Sequence, residues 1–150
     1  MNDLQILSSI LFQQVEIYTQ LLRLENEKTR ILLNREPGGL DRILNLEQSL
    51  TMKSSNLEHD RIALQKKMGI EKLTLIQIIN QYDCSNEYDL NSRYLALSRL
   101  IKNTETANNL NSRLILSRLK AMRNMFGITD ENNMHITYSK EGFVLNKQQV

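Results

Sequence analysis

An all-α fold is what the sequence predicts: an elongated antiparallel three-helix bundle or coiled coil with a short connector helix and a flexible C-terminal tail. Three observations carry the prediction. Apolar residues recur at helical spacing over long unbroken stretches, the longest being 90–126, which contains neither Gly nor Pro. One Pro and five Gly leave too little punctuation for a β-rich fold, whose turn signals recur every ~8 to 12 residues. A chain that is 41% hydrophobic but only 5% aromatic, with no Trp and three Phe, suits the narrow core shared by a few long helices. At 150 residues it is one domain, with a bundle over 1–127, helices at about 3–35, 41–68, 74–81 and 89–126, and a tail over 128–150.

Asn2 or Asp3 can cap the first helix, after which Leu4, Leu7, Leu11, Val15, Tyr18, Leu22 and Leu32 keep a beat of roughly 3.5 residues. Glu25 interrupts it. Between Leu24 and Arg30 the helix reads as charged all round, with Arg23, Glu27 and Arg30 spaced for exposed ion pairs, so this end is expected to protrude or fray. Pro37-Gly38-Gly39 then reverses the chain, because Pro disfavours helical geometry at Glu36 and the glycines free the backbone. No Gly-Lys-Ser/Thr follows, so the Gly pair is not a phosphate cradle.

The second helix carries Ile43, Leu50, Leu57 and Leu64 at seven-residue intervals. Lys53 and Asp60 occupy positions where a dimeric zipper would place leucine, which favours packing within the chain. Gly69 ends this helix, and Lys66 and Lys67 suit its negative dipole end. Thr74 can cap a short apolar helix over Leu75–Ile79 that plugs one end of the bundle.

The third long helix gathers Leu90, Leu97, Leu100, Ile101, Ala107, Leu114, Ile115, Leu119, Met122, Met125 and Phe126 on one side. Arg99, Lys102, Arg113, Lys120 and Arg123 fall opposite. The centre of the apolar stripe runs Leu97, Thr104, Asn111, Arg118 at heptad spacing and so turns polar toward its C-terminal half. This helix holds seven basic residues against Glu105 alone, whereas 71–89 holds Lys72 alone against Glu71, Asp83, Glu87 and Asp89. A solvated basic face beside acidic neighbours is the plain reading, and docking is the other. Beyond Gly127 the periodicity ends, leaving turn-prone Asp130, Asn132 and Asn133 and the scattered Ile136, Tyr138, Phe143, Val144 and Leu145, a tail expected to order on a partner.

Neither an enzyme nor a metal site is legible. His59 and His135 are distant and stand in no His-x-x-x-His or Glu-x-x-His arrangement, and Cys84 has no second Cys. Cofactors and metals are therefore not expected. The N-terminus has no basic signal-peptide region, and no apolar run nears the ~20 residues of a membrane span, so a soluble, unexported chain without membrane insertion is expected.

Leu21-Leu22-Arg23-Leu24-Glu25, the Gly39 turn, Leu44-Asn45-Leu46-Glu47 and Leu57-Glu58-x-x-Arg61-x-x-Leu64-x-x-x-Met68-Gly69 occur here in a telling order. Leu73-Thr74-Leu75 with Ile78-Ile79, then Asn108-x-x-Asn111-x-x-Leu114-Ile115, then Tyr138-x-x-x-Gly142 continue it. Together they resemble the FlgN family of flagellar export chaperones. Leu40 stands where that family often has Asp, and Glu47-Gln48 replaces an expected Lys, departures that touch capping and surface charge.

The resemblance implies a cytoplasmic protein that binds flagellar hook-filament junction (hook-associated) proteins and delivers them to the flagellar type III export apparatus. It also places client binding in the C-terminal region, where Asn108, Asn111 and Tyr138 match the family's motifs and Leu114, Ile115, Gly142 and Phe143 lie beside them. From the residues themselves, Met122, Met125 and Phe126 offer an adaptable apolar end for an amphipathic client helix, or ordinary end-of-bundle packing. Asn108 and Asn111 can face a client or fix helix register, and Tyr138 can touch a client or lie on the bundle. The alternative is a helical nucleic-acid-binding or scaffold protein using the basic face of the third long helix. Missing aromatics on that face and a near-neutral chain argue against nucleic acid. Homo-oligomerisation, if it occurs, would use the apolar stripe of 90–126.

Overall fold

A computed structural model of the chain describes residues 2–35 and 38–127. The expectations for Pro37 and for the tail, including Tyr138, Gly142 and Phe143, lie outside them. Four helices follow in order: α1 (Asp3–Asn34), α2 (Leu40–Lys67), α3 (Leu75–Tyr82) and α4 (Leu90–Phe126). The described residues contain no strand.

Each helix end has a local cause. The Asn2 side chain accepts a hydrogen bond from the Leu4 amide at 2.7 Å, while Gln5 reaches back to the Asn2 amide at 3.0 Å, closing a capping box. Thr74 and Gln77 repeat that box at α3. Gly39, at φ +81°, starts α2 in a left-handed conformation, and a Cβ there would come within 3.3 Å of Ile31 Cδ1. The start of α4 is handled from a distance. Asp89 makes no side-chain cap, but buried Asp83 accepts from the amide of Leu90 at 3.1 Å, a donor that the helix leaves open, and from the amide of Tyr88 at 3.0 Å in the preceding turn.

Contacts between helices fix their directions. Lys67 of α2 pairs with Asp3 of α1 at 3.0 Å, and Arg42 near the other end of α2 pairs with Glu27, so α1 and α2 are antiparallel. Arg93 of α4 donates to the Ser8 carbonyl at 2.6 Å and Asn111 donates to the Glu25 carbonyl at 2.9 Å, so α1 and α4 are parallel. The topology is up-down-up. Helix α1 packs closely against both α2 and α4, which do not approach each other as closely.

The core thins along the rod. Its base joins Leu7, Ile10 and Leu11 of α1, Leu64 of α2, Ile70, Ile78 and Ile79 around α3, and Leu90 and Leu97 of α4. Helix α3 plugs this end with its own Ile78 and Ile79, both buried. The middle is held by Ile17, Leu21, Leu24 and Ile31 of α1 against Ile43 and Leu50 of α2. At the far end Ile31 and Ile43 stay buried between α1 and α2, while on the α4 side the buried core narrows to Leu32 and Ile115, with Leu44, Leu114 and Leu119 packed around them.

One expectation is overturned. The segment from Leu24 to Arg30 does not fray: α1 runs on to Asn34, with Ile31 and Leu32 in the core and Glu25 and Lys28 buried. Its charges are balanced by groups from the other two long helices, which local spacing does not reveal.

Candidate functional site

Near the thin end, a polar layer crosses all three long helices. Lys28 of α1 is wholly buried, with its Nζ 2.6 Å from Glu47 Oε1 of α2 and 3.2 Å from Glu25 Oε1 of its own helix. Asn111 of α4, 1% exposed, donates from Nδ2 to Glu25 Oε2 at 2.7 Å, and its Oδ1 accepts from the Thr29 hydroxyl at 2.6 Å. Two carboxyls thus share one ammonium. Burial, and then the hydrogen bond and charge of Glu25, push the Glu47 carboxyl up from 4.5 to about 8 against the opposing pull of Lys28. At neutral pH Glu47 mostly keeps its proton, and the layer is close to electrically neutral.

A second cross-helix polar contact sits toward the base. Gln14 donates to Glu58 at 3.1 Å, and Glu58 also receives Arg61 from its own helix. Burial raises the Glu58 carboxyl, but Arg61, Gln14 and His59 together outweigh it and hold the group below its ordinary value.

Beyond the polar layer, α4 outlasts its neighbours. Leu32 packs on Ile115 two residues before α1 ends, so about the last nine residues of α4 extend roughly 13 Å past α1. Met122, Met125 and Phe126 lie there at 51%, 78% and 66% exposure. Such large apolar side chains in one short stretch mark a binding surface more often than isolated exposed leucines do.

The sequence-derived candidates therefore divide by position. Met122, Met125 and Phe126 share the exposed end, Leu114 is half-buried in the last small cluster, and Ile115 is buried within it. Asn108 is half-buried one turn before Asn111, whose side chain is held by Glu25 and Thr29. Sequence reasoning passed over Glu25, Lys28 and Glu47 as site-shaping residues. The available signal was the polar break at Asn111, which sits in the α4 stripe at the level where Glu25 breaks the stripe of α1.

A three-helix rod braced by an internal polar layer, with large apolar side chains exposed at one end among the described residues, defines the class as a helical-bundle protein. A family model described as FlgN protein matches residues 1–144. The chain belongs to the FlgN family, which comprises flagellar export chaperones. No curated protein and no solved structure matches it. Among the described residues no helix is long and apolar enough to cross a membrane, and no group of three or more His, Cys, Asp or Glu could hold a metal ion.

Proposed function

We propose that this chain captures flagellar hook-filament junction proteins in the cytoplasm and hands them to the flagellar type III export apparatus, with the free end of α4 as its client-binding surface. Family membership supports the chaperone role. The observation that carries the location is the overhang of α4 past α1, with Met122, Met125 and Phe126 exposed on it. An amphipathic client helix laid along this end would bury those side chains, and methionine adapts to more than one partner shape. Leu114 and Asn108 extend the surface toward the bundle, while Ile115 and Asn111 support it from within. Tyr138 and Gly142 join the client surface in this reading because of their match to the family's tail motif, and Phe143 because it lies beside them.

The test uses purified hook-filament junction subunit and the full chain, with affinity followed by titration calorimetry. Met125→Asp combined with Phe126→Asp is expected to weaken capture at least tenfold, and a form ending at Phe126 is expected to weaken it as well. Unchanged affinity in the double substitution would remove the α4 end from the client surface.

A further inference from the structure

The side of α4 turned away from α1 forms a second surface. At 100° per residue, Leu95, Arg99, Lys102, Thr106, Asn109, Leu110, Arg113, Leu116 and Lys120 lie opposite the buried Leu97, Asn111 and Ile115. All nine are exposed. Arg99, Lys102, Arg113 and Lys120 make no ion pair among the described residues, and the one acid of α4, Glu105, stands at i+3 from Lys102 without pairing with it. Arg99, Thr106, Arg113 and Lys120 follow one heptad line, and Leu95, Lys102, Asn109 and Leu116 follow the adjacent one. The pair of lines is the register in which a second helix packs along a first, over roughly 38 Å at ~1.5 Å per residue.

We propose that this outward face of α4 is a docking surface for an acidic amphipathic helix of another protein, distinct from the client-binding end. Charge selects the occupant. A second copy using the same face would set Arg and Lys against Arg and Lys in either orientation, which disfavours self-association there. A membrane-surface helix needs an apolar side free to enter lipid, and the apolar side of α4 is closed against α1 for most of its length. A single-strand nucleic-acid groove would set aromatic side chains among its cations for bases to stack on, whereas none of the nine is aromatic and Leu95, Leu110 and Leu116 stand between these cations. Leucines between cations suit a partner that alternates Glu or Asp with apolar residues on the same two heptad lines.

The probe is a fluorescent synthetic peptide of about four heptads with Glu and Leu on the facing lines. Its binding to the full chain is followed by anisotropy, beside a scrambled peptide of equal composition and a mixed-sequence DNA duplex. The ordered peptide is expected to bind at least tenfold tighter than the scrambled one. Arg113→Glu with Lys120→Glu should abolish that preference while leaving the thermal melt in place, and a peptide with Lys replacing Glu should recover binding to that variant. Met125→Asp with Phe126→Asp should leave peptide binding unchanged. Equal binding of ordered and scrambled peptides, or a folded Arg113→Glu, Lys120→Glu variant that the Lys peptide fails to bind, overturns the proposal in favour of a solvated face. Tighter binding of the DNA duplex than of the peptide overturns it in favour of a nucleic-acid surface.

Discussion

Replacing Glu47 with Gln tests the buried polar layer directly. A Glu47 carboxyl raised from 4.5 to about 8 binds its proton more tightly in the folded chain than in the unfolded one. The native state then holds more protons between those two values, so stability falls as pH rises through that window. The group favours the fold most at or below about pH 4.5, and that contribution is gone once the pH has passed about 8. At about 1.4 kcal/mol per pH unit the full change is about 5 kcal/mol, of which about 3 has been lost by pH 7. The glutamine of the Glu47→Gln form would keep the shape of the protonated acid, accept from Lys28 and donate to Glu25, without a proton to lose.

The assay is urea unfolding followed by helical circular dichroism at steps from about pH 5 to about pH 9. The two proteins are expected to differ by no more than about 1 kcal/mol at the acid end, where both present a neutral side chain. Above pH 8 the Glu47→Gln form should be the more stable by several kcal/mol, and its profile should be flatter. The opposite result has a clear meaning. Were Glu47 ionised at neutral pH as the main partner of Lys28, removing its charge would leave a buried ammonium short of a counter-ion and cost about 3 to 5 kcal/mol. A Glu47→Gln form less stable than the parent at about pH 8 would therefore refute the shared-proton description of the layer.

Other substitutions probe separate features. Lys28→Met removes the cation between two buried carboxyls and is expected to destabilise by about 3 to 5 kcal/mol at neutral pH, with a smaller loss near pH 5, as read from urea midpoints. Asn111→Ala strips two hydrogen bonds from Glu25 and one from Thr29 and should cost about 2 to 4 kcal/mol in the same assay. Asp83→Ala uncaps α4 and frees the Tyr88 amide, for an expected loss of about 2 kcal/mol with faster amide exchange at Leu90; unchanged exchange there would deny Asp83 its capping role. Met125→Asp changes a side chain that is 78% exposed, so stability should move by no more than about 0.5 kcal/mol while capture of a junction subunit falls; equal losses in both would place Met125 in the core.

The elements were legible because their signals are local. Asn2, Thr74 and Gly69 mark helix ends by chemistry that acts over three or four residues, and the apolar beat of 90–126 needs no knowledge of a partner helix to be seen. That α4 outruns its neighbours could also be anticipated from its greater length, though not by how much. The polar layer could not. Glu25 and Lys28 sit three residues apart on α1, a spacing that reads equally well as a wet ion pair, and Glu47 reads as a surface departure from a family pattern. Only the up-down-up pairing brings Glu47 to Lys28 from one side and Asn111 to Glu25 from the other. That arrangement also bears on the candidate site. Sliding α2 or α4 along α1 by one turn, ~5.4 Å, would separate Lys28 from Glu47 or Asn111 from Glu25 and leave buried polar groups unsatisfied, whereas leucines in their place would tolerate several registers. Because register decides how far α4 runs past α1, the buried layer sets how much of Met122, Met125 and Phe126 is left uncovered.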